Sequence, residues 1–349
     1  MSKFPVRSTK RHVLTCAAML MGLLASVGAQ AAAPAIVGIL QGTATLVRDT
    51  SRYALAEGVA LASGDIVETG ADGFVQIELE DGTIAGLAEN GRLLFMPRLT
   101  LLKPAAVPNA YLLEGWLKVL AAPKAPAEFS LLSPGYEVVT GGATIVTRVV
   151  RGKGYELFVE GGGARLIPRG AGGGSTVPLR ANDFAAQPAG ADRPTVSTSI
   201  GSEFLAQLPR IYRDRLPARA AMYAERPVTP RLLAPVSYPD VTAWMHSEPG
   251  VRLALSKQWR PRAADRAFRS EVAANMPAHG EWERVLYPER FLPKPPVKRV
   301  AAPAAKPATA PAAPAALNVS SAPATRLTPI PQAADGAWTP ARAASATTD

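Results

Sequence analysis

Sulfur and imidazole are scarce in this chain. One cysteine and three histidines among 349 residues cannot build a zinc finger, an iron–sulfur cluster or a disulfide framework. His246 and His279 stand 33 positions apart with no cysteine near either. Both are expected at the surface or at helix ends, and no metal and no cofactor is expected. No Gly-x-x-x-x-Gly-Lys-Ser/Thr loop and no Gly-x-Ser-x-Gly elbow occurs, which removes the usual sequence marks of nucleotide and acyl-transfer sites. The triple glycines 161–163 and 172–174 lead into no helix and read as hairpin loops. Charged residues make up 19% and aromatics 6% of the chain.

Breakers are abundant. With 29 glycines and 33 prolines, the chain is no long helix bundle. Its first residues are basic (Lys3, Arg7, Lys10, Arg11), an apolar run follows from Val13 to Val27, and Ala29-Gln30-Ala31 is a small-x-small site. That is the layout of a secretory signal peptide over residues 1–31. The run is short of the roughly 20 residues that span a bilayer. Cleavage after Ala31 would remove Cys16 and His12 and leave 318 residues without thiol chemistry. The expected location is the periplasm, with no membrane anchor once processed.

Three compositions follow. Residues 36–190 alternate short Val/Ile/Leu/Thr runs with Gly, Asp and Asn turns. Residues 200–293 show helical spacing with Arg, Trp and Pro. Residues 294–349 are rich in Ala and Pro, which predicts a disordered, polyproline-like tail. Ile36–Gly190 holds 13 basic and 15 acidic residues, whereas Ile200–Val300 holds 17 and 10. The second segment thus carries a net +7 within the formal charge of +10, while the β segment is close to neutral.

In the first segment Phe74, Gln76 and Glu78 alternate with Val75, Ile77 and Leu79. This predicts a strand with one wet and one dry face. Asp81-Gly82 predicts a type I′ hairpin turn. Ile66–Thr69, Leu112-Leu113, Trp116–Leu120, Tyr136–Thr140 and Thr144–Thr147 continue the series. The expected fold is an antiparallel all-β roll, sandwich or short solenoid.

These residues resemble the FecR domain. The matching stretches are Leu61–Gly70, Gly73–Thr83, Leu113–Val119 and Ser133–Val139 within residues 36–165. The resemblance implies a periplasmic β module. Its namesakes relay a signal from an outer-membrane transporter to a cytoplasmic sigma factor. Only about a dozen residues precede the apolar run here, so a free-standing exported form without the anti-sigma region is expected.

In the second segment four short helices are expected. One has Phe204, Leu205, Leu208, Ile211 and Tyr212 on one side with Ser202 as cap. One carries Val241, Trp244 and Met245 and ends before Pro249-Gly250. One follows Asp265 with Phe268, Val272 and Met276, and the last holds Glu281–Leu286. Trp244, Trp259, Phe268, Trp282 and Tyr287 would pin them into a small bundle. Arg210, Arg213, Arg215 and Arg219 crowd one stretch; Arg252, Lys257, Arg260, Arg262, Arg266 and Arg269 crowd another. One reading is a solvated face with intra-helix pairs such as Asp265 with Arg269. The other is contact with an anionic envelope polymer, peptidoglycan or lipopolysaccharide, through Arg210, Arg213, Arg219, Arg252, Arg260, Arg262, Arg266 and Arg269. Nucleic acid is not an expected partner of an exported protein.

The expected function is that of a non-catalytic binding or scaffolding protein of the envelope, with the β domain taking a protein or glycan. A signalling accessory on an outer-membrane transporter is one alternative. A cell-wall glycan hydrolase using a carboxylate pair such as Glu78 and Glu80 is another.

Overall fold

The computed structural model describes residues 35–99, 108–125, 127–169, 174–223, 225–226 and 228–292. The signal-peptide and Ala/Pro-tail expectations lie outside the described residues, as do Gly172 and Gly173. The strands are β1 (Ala35–Gln41), β2 (Ala44–Arg48), β3 (Ser51–Ala54), β4 (Ala60–Leu61), β5 (Ile66–Thr69), β6 (Phe74–Leu79), β7 (Ile84–Leu87), β8 (Arg92–Phe95), β9 (Ala110–Leu120), β10 (Phe129–Leu132), β11 (Tyr136–Thr140), β12 (Thr144–Val150), β13 (Gly154–Gly161), β14 (Gly163–Pro168), β15 (Val177–Arg180), β16 (Phe184–Pro188), β17 (Thr195–Ser197) and β18 (Arg231–Pro235).

They form two mostly antiparallel sheets joined through one long strand. The first runs β4-β1-β6-β7-β9-β12-β13-β16-β17. The second runs β18-β3-β2-β5-β8-β9-β10-β11-β14-β15, with β9–β10 parallel. β9 serves both: its N-terminal half pairs with β8 and β10, its C-terminal half with β7 and β12. The change of sheet falls at Gly115, whose φ is +101° and where a Cβ would meet the Gly91 backbone at 2.5 Å. Only glycine accepts both conditions.

Between the sheets lies the main core, including Val37, Leu46, Val67, Ile77, Leu93, Leu112, Leu117, Leu131, Ile145 and Leu157. Pleating sends alternate residues outward. From the second sheet Val47, Ile66, Leu94, Tyr111, Leu113 and Leu132 enter a second apolar cluster; from the first, Ile39, Phe74, Ile84, Trp116, Val146 and Phe184 enter a third. Both outer faces carry a large apolar patch, and residues 200–292 cover them in turn. The helices are α1 (Ser202–Gln207), α2 (Tyr238–Met245), α3 (Pro249–Trp259), α4 (Arg266–Ala274) and α5 (Glu283–Leu286). α1 and the irregular chain after it strap the first sheet with Phe204, Tyr212 and Leu216. The chain then adds β18 beside β3. Finally α2–α5 lay Trp244, Trp259, Phe268, Trp282 and Leu286 on the second sheet. The aromatic side chains do form a core, but against the sheet and not within a separate bundle.

Several local expectations change. Only Gly82 has positive φ at the Asp81-Gly82 turn. Leu79 O accepts from Gly82 N at 3.0 Å and Leu79 N donates to Thr83 O at 2.9 Å, so the loop has three residues with a glycine bulge and is not type I′. α2 ends before Pro249-Gly250 as expected, but Pro249 then opens a further helix, α3, because proline fits the first helical turn. Gly201, not Ser202, caps α1, and Leu205 is 43% exposed.

The wet face of β6 is the largest correction. Gln76 and Glu78 are 0% and 5% exposed. The strap lacks regular structure over residues 214–219, so its backbone groups need other partners. Gln76 Nε2 donates to Pro217 O at 2.7 Å. The Glu78 carboxylate accepts Arg219 N at 2.7 and 2.8 Å and Ala220 N at 2.8 Å. Lys118 Nζ donates to Tyr212 O at 2.7 Å, and Tyr212 OH donates to Gly86 O at 2.7 Å and Trp116 O at 2.9 Å. Gly38 makes room: a Cβ there would sit 1.9 Å from Glu78 Oε1. Glu78 is thus a buttress under the strap while Glu80 is exposed at the turn, and the two do not form an exposed carboxylate pair.

Glu78→Ala strands the Arg219 and Ala220 amides. It is expected to cost on the order of 2 kcal/mol and to make residues 199–222 the first site of limited proteolysis. Wild-type denaturation midpoints and cleavage pattern in the variant would refute the buttress.

Candidate functional site

Where the α2–α3 turn meets the ends of β9, β12 and β13, the surface sinks into a cleft of about 430 Å³. Leu113, Pro134, Val149, Val150, Tyr155 and Ala189 supply its apolar walls. Ser133, Arg151, His246, Ser247 and Glu248 supply its polar groups. Apolar walls with a few placed polar groups are the composition of a ligand site. Ser133 Oγ is buried without a hydrogen-bond partner among the described residues, and so is the nearby Tyr111 OH. Arg169 bridges the rim: it pairs with Glu248 at 2.9 Å and donates to Ser133 O at 2.7 Å. Burial pushes the Glu248 carboxyl above the usual carboxylate range, against the pull of Arg169. Burial, and then the Glu248 charge, pushes the Tyr111 phenol up as well.

Local chemistry positions this wall. α2 starts on a capping box in which Ser237 and Asp240 bond reciprocally, and Asp240 also pairs with Arg52 of β3 at 2.5 Å. Trp244 Nε1 donates to Glu68 of β5 at 2.8 Å. Burial raises the Glu68 pKa, opposed by Trp244 and Arg92. α2 ends at His246, whose Nδ1 lies 2.8 Å from Thr242 O. A carbonyl only accepts, so Nδ1 carries the proton.

Behind the turn lies His279, which is 0% exposed. Its Nε2 is 2.8 Å from Tyr238 OH, and its ring centroid is 4.9 Å from that of His246. His279 Nδ1, Arg252 Nε and Glu281 Oε1 are all buried without hydrogen-bond partners among the described residues. Burial, then the neighbouring His246, holds His279 below the usual histidine range. His246 is exposed at the end of α2 as expected; His279 also stands at a helix end, between the 3₁₀ turns Met276–Ala278 and Gly280–Trp282, but is buried and not at the surface. Their joint position depends on a tertiary turn that no local pattern marks.

The eight arginines expected to touch an anionic polymer are not gathered in one place. Arg210, Arg213 and Arg219 lie on the strap over the first sheet, whereas Arg252, Arg260, Arg262, Arg266 and Arg269 lie in the helical layer over the second. Three of the latter serve the fold: Arg252 donates to Ala278 O at 2.7 Å, Arg262 to Val236 O at 2.7 Å and Arg269 to Leu286 O at 2.5 Å. The expected Asp265–Arg269 pair does not form; Asp265 Oδ1 instead caps α4 at Phe268 N and lies 3.7 Å from Arg262. Among the described residues, the side chains of Arg210, Arg213, Arg260 and Arg266 are exposed and make no hydrogen bond or ion pair.

A second hollow of about 490 Å³, lined by Arg48, Ser63, Asp65, Arg98, Lys257 and Gln258 among others, lies between the β-turns and α3. Arg48 grips Asp65 at 2.5 Å, so much of its charge is internally matched. No group of three or more His, Cys, Asp or Glu able to hold a metal occurs among the described residues.

No protein-family model and no curated protein matches the chain. Among solved structures, two crystal structures of "a putative anti-sigma factor from Parabacteroides distasonis ATCC 8503" are similar to it, at 13% and 12% identity. Each match has a TM-score of 0.32 and covers 38% of this chain and 58% of that one. So low a score carries no inference about fold or function.

Arg262→Ala and Arg269→Ala remove carbonyl partners and are expected to lower the melting temperature, by about 1–2 kcal/mol in stability terms. Arg210→Ala and Arg213→Ala should leave it unchanged. Equal melting curves for all four variants would contradict this division.

Proposed function

We propose that the chain is a free-standing FecR-like protein, exported by its signal peptide, which binds or scaffolds a partner in the bacterial envelope without catalysis. The observation that carries this reading is the cleft: apolar walls, a charged rim from Arg151 and Glu248, and the unpartnered Ser133 hydroxyl. The exposed, unpaired Arg210, Arg213, Arg260 and Arg266 add attraction to an anionic polymer such as peptidoglycan or lipopolysaccharide. A periplasmic location agrees with the basic start and small-x-small site of residues 1–31. No helix among the described residues is long and apolar enough to cross a membrane.

Two measurements test the two halves. Co-sedimentation with intact peptidoglycan sacculi should fade as salt rises over ~0.05–0.5 M, since exposed charge is screened. Replacing Arg210, Arg213, Arg260 and Arg266 together by Ala should abolish it. Protein that stays in the supernatant at every salt refutes the polymer contact. For the cleft, a photo-crosslinker at Arg151 should give a salt-resistant adduct in envelope extracts that Ala189→Trp, which fills the hollow, removes. An adduct insensitive to Ala189→Trp would place the partner elsewhere. Identification of that adduct as a transporter domain would turn the scaffold into the signalling accessory.

A further inference from the structure

Three buried polar atoms without partners sit together behind the cleft wall: His279 Nδ1, Arg252 Nε and Glu281 Oε1. Folded chains satisfy nearly all such atoms, so the cluster is set apart from its surroundings. The groups facing His279 come from every packed element. α2 contributes Tyr238 and its C-cap His246, α3 contributes Arg252, and its own turn contributes Glu281. Glu271 of α4 acts on Tyr238. His246, its neighbour, is exposed, lines the cleft and is followed directly by Ser247 and Glu248 in the same wall.

We propose that the buried His279 is a proton-operated latch on the cleft: its neutral ring packs against His246 and holds the α2–α3 turn in the wall, and proton uptake at His279 loosens it. The proposal rests on the cleft as the binding site and names its regulation. A proton on His279 would stand fully buried, 4.9 Å from the His246 ring and beside Arg252, and a buried charge without a solvating partner favours opening of the turn to water. The wall moves because His279 packs on both ends of α2: Tyr238 OH, 2.8 Å from its Nε2, stands in the first turn, and His246, packed edge-on against its ring, closes the last turn through Thr242 O, with Ser247 Oγ donating to Trp244 O at 2.6 Å just beyond.

The sign follows from linkage. A histidine held below its unfolded value near 6.5 stabilises the fold fully above that pH and loses the contribution as pH falls from 6.5 through the folded value. Glu68 and Glu248, both raised by burial, act oppositely: they cost stability at high pH and relieve that cost as pH falls. The whole-protein pH profile therefore mixes the two, and the latch must be read at the histidines.

The test is an NMR titration of the full chain from pH 8 to 5, observing histidine Cε1–H and backbone amides. The expected result has His279 titrating below 6.5. The amides of Leu113, Ser133, Ser247 and Glu248 should shift with the same midpoint, and hydrogen exchange of residues 246–248 should rise at least threefold by pH 5.5. His246→Gln, at an exposed site, should move the His279 midpoint upward. His279→Gln should remove the part of the amide shifts that follows the His279 midpoint and leave any part due to Glu248. Cleft amides that do not follow His279, or a His279 midpoint unmoved by His246→Gln, would overturn the latch. No partner is used in this readout, so failure of the crosslinking experiment would strike the cleft and a silent titration would strike only the latch.

Discussion

An irregular chain laid across a sheet must find partners for its own peptide groups, and here the sheet supplies them from its side chains. Gln76, Glu78 and Lys118 stand on the outer face of the first sheet, buried, each bonded to strap backbone. Without them, the amides and carbonyls around Pro217 and Arg219 would be unsatisfied beneath a layer that excludes water. With them, Phe204, Tyr212 and Leu216 cover an apolar face that would otherwise remain exposed. The path of everything after residue 199 depends on this anchoring: only from the strap can the chain reach the edge at β3 and then the second sheet.

The strands were legible because a period of two and Gly/Asp turns are local signals. Ile66–Thr69, Phe74–Leu79, Tyr136–Thr140 and the β12 start all stand where the pattern puts them. What covers the strands was less legible. A polar residue every second position reads the same whether it faces water or a peptide group, so alternation alone assigns Gln76 and Glu78 to a wet face. A signal did exist: Leu93-Leu94-Phe95 and Tyr111-Leu112-Leu113 break the alternation, and unbroken apolar runs mark strands buried on both sides. Pro249-Gly250 reads as a stop or a start, and only the packing of Val251 and Leu255 on the sheet decides. The cleft joins Ser133, Tyr155 and His246 from distant parts of the chain, and no spacing in the sequence predicts that.

The arginines show why a count of charge is a poor guide to a binding surface. Arg252 and Arg269 direct their donors to carbonyls at the C-terminal ends of short helical turns, where backbone acceptors are left over, and Arg262 serves Val236 O just ahead of α2. Short helices make many ends, and a guanidinium with five donors can serve several at once. The basic composition of residues 200–293 is thus partly a by-product of building a layer from brief turns. The charge left for other molecules is the smaller set that meets solvent alone.

The division of labour between strands and cover also bears on how the chain matures. β9 belongs to both sheets, so neither sheet is complete until residues 110–120 have paired on four sides. Even then both outer faces remain apolar until residues 200–292 arrive. A chain emerging from its N-terminus therefore passes through a stage in which its strands exist and its coats do not. During that interval the greasy flats of a half-dressed sandwich are open to any neighbour, and residues 200–292 act as the molecule's own chaperone, closing each face as they are delivered.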